Sequence, residues 1–320
     1  MNRRQTNTFV LVLIALLVCA PASVAGQAGK SPVKVFILAG QSNMEGQGKI
    51  KLDPNANEGK GSLEYLLKDP ATAGRFKHLA NKDGKWIVRD DVWIWYLDRK
   101  GGLTVGYGAK TDLIGPELEF GNVVGDVIDN QVLLIKVAWG GKSLGADFRP
   151  PSSGGQLGPY YTQIVTLTKE VLNNLKTHFP DYDGQGYEIV GFGWHQGWND
   201  RVNQAFNDEY EKNMANFIRD IRKDLGVPKL PFVIAETGMT GRDEKHPRAL
   251  SLMRAQAAVA EYPEFKGNVA FVETKDFWRP PEVSPSKQGY HWNNNAETYL
   301  LIGQAMGEAM KKLLAPSGAK

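Results

Sequence analysis

Along this chain, short apolar runs alternate with longer stretches in which apolar side chains return every three to four residues. The runs at 33–39, 132–137, 187–192, 232–235 and 268–272 are nearly unbroken and rich in Val, Ile, Leu and Phe, as strands covered on both faces require. The stretches at 116–129, 160–178, 206–225, 247–262 and 294–314 carry helical spacing. Pro116 and Pro247 stand at the start of two of them, where a missing N–H costs nothing. Strand and helix in turn predict right-handed βαβ units, hence an α/β fold with a parallel sheet of about five strands. Residues 47–115 break the rhythm. They are rich in Gly, Lys and Asp and carry a hairpin-like pattern from Trp86 to Tyr96, so they are expected as an insertion at the ligand-binding end of the sheet.

The N-terminus changes the picture of where the protein works. Arg3 and Arg4 precede an apolar run from Phe9 to Ala20, and small residues follow up to Ala25. This is the layout of a secretory signal peptide cut after Ala25, and the run is short for a membrane span. Residues 26–320 are then expected as one exported domain, secreted or periplasmic, with no stable membrane insertion after cleavage. The one cysteine, Cys19, falls inside the leader and follows Val18, where a lipid-anchored cysteine follows Gly or Ala. Its removal leaves no disulfide framework. About 295 residues suffice for a full core. The formal charge of +3 falls to +1 without Arg3 and Arg4, so nothing points to nucleic acid. Eight Trp and eleven Tyr, many in polar or glycine-rich surroundings such as Trp93 to Tyr96 and Tyr160-Tyr161, suit stacking on sugars as well as core packing.

Candidate chemistry begins where the first strand ends. Gly40-Gln41-Ser42-Asn43-Met44-Glu45-Gly46 puts a serine at the carboxyl edge of the sheet, where open α/β sheets bind ligands. Ser42 there suits an acyl-transfer nucleophile or a helix cap equally. The later strands lead into residues of the same chemistry. Gly140-Gly141 offers exposed amides to an oxyanion. His195-Gln196-Gly197 adds a side-chain amide, and His291 stands before the last helix. No His and carboxylate pair falls at metal-ligand spacing, so no metal or other cofactor is expected. His195 suits a structural role, and His78, His178 and His246 sit in ordinary polar contexts.

These blocks resemble the SGNH-hydrolase superfamily, and more closely its carbohydrate esterases similar to sialate O-acetylesterases and acetylxylan esterases. Gly40-Gln41-Ser42-Asn43-Met44 is similar to the nucleophile block, Trp194-His195-Gln196-Gly197 to the third block, and Gly140-Gly141 more loosely to the second. The resemblance implies a flavodoxin-like three-layer α/β/α sandwich and hydrolysis of acetyl esters on an acetylated carbohydrate. It also implies Ser42 as nucleophile and His291 as base, with oxyanion donors from the Ser42 amide, Gly140 or Gly141 and the Gln196 side chain. The chain departs from that pattern at the third triad member, because Trp198 and Gln288 occupy the usual positions of the acid. Asp200 is then the first candidate to orient His291, with a solvated surface carboxylate as its other reading. Asp276 and Glu236 are weaker candidates, and a backbone carbonyl would leave a Ser-His dyad. Two rivals remain at this level: a catalytically silent carbohydrate-binding protein, and an esterase for another acyl group. The sequence leaves the oligomeric state open.

Overall fold

The structure, a computed structural model, describes residues 31–315; the expected leader, with Cys19, lies outside them. The strands in chain order are β1 (Val33–Gly40), β2 (Gly48–Lys49), β3 (Arg89–Tyr96), β4 (Arg99–Leu103), β5 (Leu113–Ile114), β6 (Val132–Ala138), β7 (Tyr187–His195), β8 (Phe232–Ala235) and β9 (Val269–Val272). Seven of them form one sheet in the order β4-β3-β6-β1-β7-β8-β9, while β2 and β5 pair separately. All neighbours in the large sheet are parallel except the β3–β4 hairpin. The count is therefore seven, not the expected five. The two added strands are β3 and β4, which belong to the sheet edge although they lie in the segment read as an insertion.

The edge was hidden for a physical reason. β4 reads Arg-Lys-Gly-Gly-Leu, a composition that protects an edge from further pairing and carries no apolar signal. The remainder of the segment leaves and returns at one point: Gly48 pairs with Ile114 and Lys49 with Leu113. A side chain on Gly46 would run into Gly115, whose Cα lies 2.2 Å from the position of the missing Cβ.

Alternation along β1 builds two cores. Val33, Val35, Ile37 and Ala39 pack under the helices Pro159–Asn173, Gln204–Asp224 and Pro247–Ala260. Phe36 and Leu38 pack under Glu117–Gly125 and Ala296–Leu314 on the other face. Helices thus cover both faces, which is why β1 is apolar at nearly every position. Each fully buried Val, Ile, Leu or Phe contributes about 1.5–3 kcal/mol. Pro247 sits in the first turn of its helix as expected, and Pro159 does the same for another. Pro116 instead stands one residue ahead of its helix. The stretch expected as one helix at 160–178 breaks at Asn174 into Pro159–Asn173 and Leu175–His178. Among the described residues no helix is long and apolar enough to cross a membrane.

Candidate active site

β1 lies where the direction of winding reverses, with β6 on one side and β7 on the other, and such a switch point opens a crevice at the carboxyl ends. The registers are level there: Gly40 pairs with Ala138 of β6 and with His195 of β7. The turns after β1, β6 and β7 therefore start side by side. Gly40 is obligatory at this junction, since a Cβ on it would stand 2.2 Å from the His195 carbonyl oxygen. β7 runs three residues further than its apolar pattern and takes in Gly193, Trp194 and His195.

Ser42 opens the short helix Ser42–Glu45 directly after β1 and is 8% exposed. A side chain built on Gly140 would stand 3.7 Å from Ser42 Cβ, so the turn after β6 faces the serine. The three turns are stapled by amides. Gln41 Oε1 accepts from the Gly197 N–H at 3.0 Å, Gln41 Nε2 donates to Asn199 Oδ1 at 3.3 Å, and Asn199 Nδ2 donates to the Gly141 carbonyl at 2.7 Å. The backbone amides of Ser42 and Gly141 have no hydrogen-bond partner among the described residues. The Gly140 amide points instead at the half-buried Glu45 carboxylate, whose pKa is raised chiefly by burial and held back by Lys136.

His291 comes to the serine through its neighbours. Asn43 Nδ2 donates to the Tyr290 carbonyl at 3.0 Å, and the Tyr299 hydroxyl lies 2.7 Å from Asn43 Oδ1 and 3.2 Å from the His291 carbonyl. One residue on each side of the pair is thus latched, although Ser42 Oγ and the His291 ring make no direct hydrogen bond. In hydrolases, hydrogen bonds between a serine and its base are often long until substrate binds. After His291 the chain turns through three consecutive left-handed residues, Trp292, Asn293 and Asn294, with φ of 51°, 55° and 58°. Asn tolerates this region better than most residues. Asn293 Nδ2 bonds the Arg279 carbonyl and Asn294 Nδ2 the Gln47 carbonyl, while Asn295 alone caps the last helix.

The groups around the histidine differ from expectation. His291 Nδ1 lies 3.4 Å from Gln288 Oε1, a neutral amide three residues earlier. Burial holds the imidazole below its ordinary pKa. Asp200 is fully buried elsewhere and does not orient His291. Its Oδ1 accepts from the Gly145 N–H at 2.7 Å, and its Oδ2 from the Leu144 N–H at 2.8 Å and Gln196 Nε2 at 2.5 Å. Desolvation pushes its pKa up to about 6 despite these donors. Gln196 is corrected with it: its Nε2 also donates to the Lys142 carbonyl at 3.0 Å, so both amide hydrogens are engaged and neither is free for an oxyanion. Glu236 is paired with Lys275 at 2.7 Å, and Asp276 with Arg242 at 2.6 Å. His195 is buried, its pKa pushed down to about 4 by desolvation, so it is uncharged at neutral pH. No group of three or more His, Cys, Asp and Glu side chains converges as a metal site among the described residues.

Several residues of the site carried no clear sequence signal. Lys136, on β6, has no exposed surface and donates to the Glu45 carbonyl at 2.6 Å, the Tyr107 carbonyl at 2.7 Å and Glu117 Oε2 at 2.7 Å. It fixes the helix that carries Ser42. Tyr299 lies in the first turn of the amphipathic helix Ala296–Leu314, on its apolar face, where an aromatic residue reads as core. Of the aromatics that stood out in the sequence, Trp93, Trp95, Tyr96 and Tyr161 are buried in the cores, while Tyr160 is half-buried against Trp139 and Phe148.

Known proteins resemble this chain to different depths. The chain is 26% identical over 205 residues to a probable carbohydrate esterase of Arabidopsis thaliana, spanning 63% of this chain and 68% of that one. Its fold is similar to the crystal structure of an Arabidopsis thaliana protein, with TM-score 0.56 and 19% identity over 88% of this chain and 98% of the other. It is also similar in fold to a carbohydrate acetylesterase from Xanthomonas citri, with TM-score 0.50 and 15% identity over 86% of this chain and 55% of that one. The sequence profile described as "Carbohydrate esterase, sialic acid-specific acetylesterase" matches residues 32–312. That span runs from the start of β1 almost to the end of the last helix and takes in every turn of the site, so the chain belongs to this carbohydrate esterase family.

Proposed function

We propose that the protein is a serine esterase that removes O-acetyl groups from carbohydrates through a Ser42–His291 dyad. The observation that carries this reading is the latch of Asn43 and Tyr299, which joins the serine turn to the histidine loop beside two unpartnered amides. His291 Nε2 takes the Ser42 proton as Oγ attacks the acetyl carbon. The amides of Ser42 and Gly141 receive the developing oxyanion. The intermediate then expels the sugar oxygen, which takes the proton from His291, and water cleaves the acetyl-enzyme by the same route. Gln288 Oε1, accepting from Nδ1–H, holds the tautomer that leaves Nε2 free as base. The layout of residues 1–25 supports export as the site of action.

Release of acetate from an acetylated sugar tests the reading directly. Ser42→Ala and His291→Ala are each expected to lower kcat/KM by at least about a thousandfold with an unchanged circular dichroism spectrum. Retention of more than about a tenth of the rate in Ser42→Ala removes the nucleophile. A wild-type protein inactive on every acetyl ester leaves a carbohydrate-binding protein, and a preference for longer acyl chains leaves an esterase of another class.

A further inference from the structure

In acyl transfer the carbonyl oxygen turns toward the amide donors, while the base returns its proton to the departing oxygen. On the reading above that oxygen belongs to the sugar, so the sugar ring lies on the His291 side of Ser42. The surface waiting there is aromatic. Tyr290 is 43% exposed, and among the described residues it is the only aromatic of the large apolar side chains left exposed. Its ring is held in place. It meets the His291 ring edge-on with centroids 4.5 Å apart, and Trp198 leans on it at 5.7 Å. Its carbonyl is fixed by Asn43 at 3.0 Å. Trp198 is braced in turn by the Arg201 guanidinium, 4.5 Å from its ring centre, and Arg201 by Glu244 at 3.5 Å.

A ring kept both exposed and rigid loses little conformational freedom when it is covered. The C–H face of a pyranose matches it, leaving the sugar hydroxyls to water and the rim. We propose that Tyr290, backed by Trp198, is the platform on which the pyranose ring of the acetylated substrate stacks. This assignment rests on the esterase reading for its substrate and on its own geometry for the contact.

Two esters carrying the same acetyl group test it: methyl β-D-xylopyranoside triacetate, and ethyl acetate, which has no ring. In Tyr290→Ala the ratio of kcat/KM for the xyloside over ethyl acetate is expected to fall about five- to tenfold, chiefly through KM. Tyr290→Phe keeps the ring, and the ratio should stay within about twofold of wild type. Equal losses on both esters in Tyr290→Ala mean that the ring only positions His291, and overturn the platform. Saturation-transfer NMR supplies a readout without turnover. Ser42→Ala protein should transfer saturation to the ring protons of unacetylated methyl β-D-xylopyranoside, and the Ser42→Ala/Tyr290→Ala protein should not. If wild type hydrolyses neither ester yet this transfer depends on Tyr290, the esterase reading falls and the platform stands. If both esters are cleaved in a Ser42-dependent way with an unchanged ratio and unchanged transfer, the platform falls and the esterase reading stands.

Discussion

At His291 an amide stands where a carboxylate would add charge. Gln288 Oε1, 3.4 Å from Nδ1, can fix the tautomer but cannot stabilise an imidazolium electrostatically, and burial lowers the pKa further. A base must be neutral to act, so the acid limb of kcat/KM should fall below the ordinary histidine value of about 6.5. Gln288→Glu puts a charge at that distance. The limb should then move up by about one pH unit or more, because an adjacent anion favours the protonated ring. A pH profile unmoved by Gln288→Glu would mean that residue 288 is not the partner of Nδ1. The sequence marked this position through the spacing of Gln288 to His291. It did not reveal that the amide itself is what faces Nδ1.

The turn after β6 is an element without regular structure, and a buried carboxylate gives it shape. Asp200 collects the Leu144 and Gly145 amides and Gln196 Nε2 around two oxygens, and so ties the loop after β6 to the start of the helix Trp198–Val202. Asp200→Asn turns one acceptor toward an N–H, which should cost about 1–3 kcal/mol. Thermal unfolding should show it, and the acid limb set by His291 should stay in place. The pH dependence of stability has a definite sign. The folded pKa of about 6 stands above the model-compound value of 3.8, so the folded state holds the proton more tightly. Stability from this group is complete below about pH 4 and lost as pH rises through about 6. That decline should vanish in Asp200→Asn, as Tm measured from pH 4 to 7 will show. A carboxylate four residues after Gln196 was visible in the sequence, but not the direction in which it points. Backbone amides 55 and 56 residues earlier decide that.

At the scale of the molecule, the buried ion pair of Lys136 and Glu117 joins the site to the frame. Lys136 and Glu117 meet at 2.7 Å with no side-chain exposure, and the lysine also holds the turn that carries Ser42. Lys136→Met leaves Glu117 charged and unpaired, a change expected to cost about 3–5 kcal/mol, whereas Lys136→Met with Glu117→Gln should recover much of it. Chemical denaturation of both variants checks the pair, and a kcat that stays low in the refolded double variant would separate the hold on Ser42 from stability. The sequence alone determined the α/β alternation, the strand that leads into Ser42 and the three turns that meet there. Those features follow from burial on both faces of a parallel sheet, which demands apolar runs, and from turns whose residues are local. Only the tertiary structure decided the sheet edge, the partner of His291, the engagement of Gln196 and the burial of Lys136. A polar edge strand has no hydrophobic signature, and which polar groups satisfy one another in a buried site depends on side chains brought together from strands far apart in the chain.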